Sequence, residues 1–104
     1  MEAVNFSTGI PVLTQNDKIG VRLISMSGAE LVEIRLDSRA VIPPHTTAMD
    51  VLFYVTQGSC SITLGQTSIS AYAGDALAGP AGIPHGIENP HELPASVLVI
   101  KLPA

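Results

Sequence analysis

Apolar and polar positions alternate along most of this chain, in short runs divided by Gly, Pro, Asn or Ser. In Ala29–Leu36, Val32, Ile34 and Leu36 fall on one face and Leu31, Glu33 and Arg35 on the other. That period of two predicts a half-buried strand of an antiparallel sheet. Val21–Met26 precedes it across Ser27-Gly28, and the pair predicts a hairpin. Ser59–Leu64 and Thr67–Tyr72 predict a second hairpin around Gly65-Gln66, and Val97–Leu102 a last strand. Val51–Gln57 is apolar on both faces, with Val51, Phe53 and Val55 on one and Leu52 and Tyr54 on the other. Such a strand needs cover on both sides. The interior of a small barrel supplies one cover; a partner subunit or an N-terminal segment must supply the other.

The remaining stretches are less regular. Ala3–Phe6 predicts a short strand. Ile10–Gly20 contains Pro11, Asn16, Asp17 and Gly20 and predicts irregular chain between strands. The paired prolines in Ala40–Thr47 suit a strand end or edge. No window carries a helical period over about eleven or more residues. Short strands with frequent turn signals predict one all-β domain over residues 1–104, an antiparallel barrel or sandwich.

Composition narrows the function classes. Apolar residues make up 46% of the 104 and charged residues 13%, which excludes a disordered chain. The net charge of −4, without any basic run, gives nucleic-acid binding no electrostatic basis. A lone cysteine, Cys60, cannot close an intramolecular disulfide and reads as a small core residue in a reducing cytoplasm. MEAVNFSTGI lacks a basic region followed by an apolar run, so no secretory signal is expected. No apolar stretch approaches the roughly 20 residues that span a bilayer.

The chemistry concentrates in Gly74–Asn89, GDALAGPAGIPHGIEN. On a strand, Ile83, His85 and Ile87 share a face, which points His85 into an apolar interior. Two readings stay open for His85: a buried histidine held by one hydrogen bond, or a ligand or catalytic group. Asp75 reads as a turn cap, His91 as a solvated loop residue, and Gln57 as a residue near a strand end. Asn89 reads as a structural residue bonding backbone in the turn before Pro90. Tyr54 and Tyr72 read as packing residues. Nucleophile, phosphate-loop and dinucleotide signatures are absent.

The spacing G-x5-P-x-G-x2-H-x3-N, filled by Gly74, Pro80, Gly82, His85 and Asn89, resembles the second motif of the cupin family. Arg39–Gly58, RAVIPPHTTAMDVLFYVTQG, resembles the first cupin motif in register. His45 stands at its first histidine, Pro43 at a frequent proline and Gly58 at its last glycine. Arg39 replaces a glycine, Thr47 the second histidine and Val51 the glutamate. The resemblance implies a double-stranded antiparallel β-barrel of jelly-roll type with His85 in its pocket. It implies a divalent metal (Zn, Ni, Fe or Mn) wherever the usual three histidines and a glutamate are present. Here only His45 and His85 remain. A hydroxyl such as Thr47 is a poor ligand for these metals, and Val51 cannot coordinate. Asp50, next to the lost glutamate, could act as third ligand only if a bulge re-aimed it.

The expected pocket is therefore His45, Thr47, Val51, Phe53, Val55, Ile83, His85 and Ile87, with His85 as the candidate catalytic group. The expected function is binding of a small organic molecule at a degenerate metal site. The alternative is a metal-dependent enzyme with oxygenase, isomerase or sugar-acid chemistry, using His45, His85 and a third ligand. A metal-free acid–base enzyme using His85 lies between the two. The two-faced strand Val51–Gln57 predicts a homodimer.

Overall fold

A computed structural model describes residues 2–104, and the alternating runs in it fold as strands whose apolar faces meet. In chain order they are β1 (Ile10–Thr14), β2 (Lys18–Met26), β3 (Ala29–Leu36), β4 (Val41–His45), β5 (Asp50–Gln57), β6 (Ser59–Leu64), β7 (Thr67–Tyr72), β8 (Ala76–Gly79), β9 (His85–Glu88) and β10 (Ala95–Leu102). One sheet has the order β1-β2-β3-β10-β5-β8 and the other β4-β9-β6-β7. Every pairing is antiparallel. The described residues contain no helix.

Val32 and Leu36 of β3, Val51, Phe53 and Val55 of β5, and Val97 and Val99 of β10 face inward from the large sheet. They pack against Cys60 and Ile62 of β6 and Ile87 of β9. Burial alone pushes the Cys60 thiol up to about 11. The thiolate is the reactive form, so a thiol reagent at neutral pH should label Cys60 only as fast as the domain unfolds. Labelling of folded protein at the rate of a free thiol would contradict this burial.

The β2–β3 hairpin turns on Ser27 (φ 52°) and Gly28 (φ 81°), the two positive φ angles that a type I′ turn requires. Ile10–Gly20 is not irregular, as its turn residues suggested, but another hairpin, β1–β2. Pro11 is tolerated because β1 is an edge strand, where a missing donor breaks no ladder. Ala3–Phe6 is not a strand. The Asn5 side chain and carbonyl instead take up the backbone N–H groups of Ser7, Thr8 and Gly9, forming a turn. This segment packs outside β2 and β3, where Phe6 lies under the Arg35 guanidinium at 3.7 Å. It leaves β5 alone: Leu52 and Tyr54 stay exposed on the outer face.

Asn89 ties two connections together. Wholly buried, its Nδ2 donates to the carbonyls of Leu36 (3.4 Å), Asp37 (3.1 Å) and Leu93 (2.9 Å). Its Oδ1 accepts from the His91 N–H at 3.1 Å, and its own N–H reaches the Ala40 carbonyl at 2.9 Å. One side chain thus joins the end of β3 to the loop between β9 and β10.

Candidate functional site

His45 and His85 end up side by side because of what surrounds them on β4 and β9. Pro43 and Pro44 have no N–H for the ladder, and the β4–β9 register shifts between Ile42 and His45. After that shift His45 is the direct cross-strand partner of His85. Gly86 lets the two strands come this close. A Cβ there would meet the Ile42 carbonyl oxygen at 2.8 Å and the Pro44 nitrogen at 2.9 Å. Gly86→Ala should therefore push β4 outward and part the imidazoles. The check is loss of cross-relaxation between the two rings by NMR in a variant that remains folded.

The ring centroids of His45 and His85 are 4.4 Å apart with planes at 60°, and His85 also meets the Phe53 ring edge-on at 5.6 Å. His85 is 5% exposed, and its Nδ1 has no hydrogen-bond partner. His45 is exposed, with Nδ1 3.3 Å from the Pro43 carbonyl. Both rings border a cavity of about 260 Å³ between the two sheets. Its walls are mainly apolar, from Val32, Ile34, Phe53, Ile87 and Val99, with Val12 and Leu13 of β1 at one side. Lys101 supplies the remaining polar group.

The expected pocket residues divide. His45, His85, Phe53 and Ile87 line the cavity. Val51 and Val55 point inward but are packed into the core and do not border it. Ile83 does not share the face of His85: it belongs to a turn closed by its N–H on the Pro80 carbonyl at 3.1 Å and is 40% exposed. Strand β9 starts only at His85, so the alternation does not reach back that far. Thr47 lies outside the cavity as well. Its Oγ1 accepts from the Met49 N–H and its carbonyl from the Gly82 N–H, pinning the β4–β5 connection to the motif turn. Asp50 Oδ1 accepts from the Ala81 N–H at 2.8 Å, and the residue borders a separate depression with Leu52 and Gly79. The β5–β10 register is unbroken from Asp50 to Val55, so no bulge turns Asp50 toward the histidines.

Asp75 caps its turn, Oδ2 accepting from the Tyr72 N–H at 2.8 Å. His91 is exposed, and its carbonyl accepts from the Arg39 N–H. Lys101 and Gly86 were missed in the sequence. A signal for Lys101 existed: it continues the alternation of Val97 and Val99 as the charged residue on that face.

Burial lowers the pKa of His85 first and the neighbouring His45 second; the Ile83 backbone, near the ring but outside hydrogen-bonding geometry, opposes the shift, and Lys101 comes last among the causes that lower it. The ring is thus neutral at pH 7, one nitrogen donating and one accepting. The folded pKa lies below the unfolded value of about 6.5. Between the two values the unfolded chain binds more protons, so stability rises with pH there. The contribution is complete above about pH 6.5 and is lost as pH falls toward the folded pKa. Urea midpoints against pH should show this decline in the wild type and a shallower one in His85→Gln. Equal slopes would contradict the assignment.

Among the described residues no group of three or more His, Cys, Asp or Glu side chains could hold a metal. A catalytic metal usually takes three protein ligands. Two imidazoles, with Asp50 bonded elsewhere, do not fit that donor set.

A family profile described as Cupin domain matches residues 32–101. The chain belongs to the cupin family. The match covers most of the domain, from β3 through β10, and includes both histidines. An RmlC-like cupin from Shewanella frigidimarina superposes with a TM-score of 0.86 at 17% identity, covering 100% of this chain and 92% of that one. A predicted oxalate decarboxylase from Thermotoga maritima gives 0.86 at 17% identity, covering 99% and 100%. The polyketide cyclase RemF from Streptomyces resistomycificus gives 0.81 at 21% identity, covering 97% and 78%. At these identities the likeness shows the cupin fold and leaves activity open. No curated protein matches the sequence. Among the described residues no helix is long and apolar enough to cross a membrane.

Proposed function

We propose that this cupin binds a small organic molecule in the cavity between its sheets, with His45 and His85 as polar contacts and no metal in the resting site. One observation carries the reading: two touching imidazoles border an apolar cavity, and no third donor among the described residues joins them. Mostly apolar pockets with a few convergent polar groups are the usual form of a small-molecule site. That one structural neighbour is a polyketide cyclase and another a predicted oxalate decarboxylase supports the small-molecule class. A second reading is favoured by the buried, unpartnered nitrogen of His85. A neutral imidazole held against a substrate can take up or deliver a proton without a metal.

The test is a fragment screen by amide NMR. Bound fragments should shift Gly86, Ile87 and Val99, and Ile34→Phe, which fills part of the cavity, should abolish those shifts. Fragments that bind only at other surfaces would overturn the reading. We further propose that the exposed outer face of β5, carrying Leu52 and Tyr54, pairs with a second copy in a cytoplasmic homodimer. Light scattering should give about twice the 10.8 kDa chain mass; the chain mass alone would overturn the dimer.

A further inference from the structure

The chain has five cationic side chains, Lys18, Arg22, Arg35, Arg39 and Lys101. The first four each face a carboxylate: Lys18 with Asp17 at 3.1 Å, Arg22 with Glu30 at 3.4 Å, Arg35 with Glu33 at 2.9 Å and Arg39 with Glu92 at 4.0 Å. Lys101 alone of the five has no such partner among the described residues, and it alone borders the cavity. Its place follows from register. On β10 it lies opposite Val51 of β5 and Glu30 of β3, on the inward face that also carries Val97 and Val99. The Glu30 carboxylate is held by Arg22. The same cavity wall carries the buried His85, whose Nδ1 has no partner. Lys101 is half-buried, has no carboxylate partner among the described residues and borders an apolar space, so its ammonium is available to a ligand's anionic group.

We propose that Lys101 anchors the ligand's anionic group, and that the ligand is a small monocarboxylic acid with an apolar body. This rests on the binding role proposed for the cavity. The carboxylate accepts a charge-assisted hydrogen bond from the Lys101 ammonium. The body of the acid lies against Val32, Phe53 and Val99, and the imidazoles meet any hydroxyl or carbonyl it carries. A cavity of about 260 Å³ lies near the lower end of the range for small-molecule sites, which suits a small organic acid. A second carboxylate on the ligand would have no lysine or arginine to meet, because none of the other four borders the cavity.

Benzoate and its neutral isostere benzamide separate the possibilities, with amide NMR titrations reporting at Gly86, Ile87 and Val99. Wild-type protein should bind benzoate at least about tenfold more tightly than benzamide, the ratio expected for one charge-assisted contact. Lys101→Met should remove that preference, whereas Lys101→Arg should retain it. If wild type binds both at the cavity with equal affinity, the anchor is overturned and the small-molecule reading stands. The anchor is equally overturned if folded Lys101→Met keeps the preference. If neither probe shifts the cavity amides, both the anchor and the small-molecule reading fall. The wild-type comparison needs no variant, so a misfolded substitution cannot rescue the proposal.

Discussion

Replacing Phe53 with alanine should lower stability by about 3 kcal/mol, the lower end of the range for a buried aromatic. Phe53 heads the largest wholly buried side chains of the domain, and its ring sits between the core and the cavity. Deleting it removes contacts with the core on one side, while the cavity side already lacks packing partners. That asymmetry is the reason for the low end of the range. A domain of this size has roughly 5–15 kcal/mol in total, so the variant should fold but with a clearly lower urea midpoint. The slope of the transition should not change, since the same surface is exposed on unfolding. The substitution also removes the ring that meets His85 edge-on. A midpoint within error of wild type would mean that Phe53 is not packed as described.

Asn89→Ala should cost a comparable amount, about 3 kcal/mol or more, by a different route. It leaves three carbonyl oxygens and the His91 N–H without the partner they now share. Each buried polar group left unsatisfied costs about 1–3 kcal/mol, less wherever water can enter. Leu93 and His91 lie in an exposed loop, so water should recover part of the loss there. Asn89→Asp provides the control for shape. It keeps the volume but sets a carboxylate against three carbonyl oxygens, so it should be no better than alanine. If Asn89→Asp proved as stable as wild type, Asn89 would be filling space without bridging the loops.

The fold was legible in the sequence because alternation and turn chemistry agreed over most of the chain. Val51–Gln57 shows this best: the inner residues Val51, Phe53 and Val55 are buried and the outer Leu52 and Tyr54 are exposed. The β1–β2 hairpin was hidden because Pro11 and the Asn-Asp pair signal a break when read locally, whereas an edge strand tolerates proline. At the site, motif spacing found His45 and His85. Spacing could not show that the strand begins at His85, which leaves Ile83 in a turn outside the cavity. Nor could it show that Asp50 is committed to the Ala81 N–H. Lys101 lies outside both motifs and enters the cavity through its pairing register with β5 and β3, a relation between distant segments.

The central claim is that the two histidines serve an organic-ligand pocket and do not form a metal centre. Titration calorimetry of Zn²⁺ into metal-free protein near neutral pH tests it most directly. The donor set predicts micromolar or weaker binding, lost in His85→Ala and unchanged in Asp50→Ala, because two imidazoles supply two bonds where useful affinity normally takes three. Stoichiometric, submicromolar binding that Asp50→Ala weakens would contradict it, placing a third ligand beside His45 and His85.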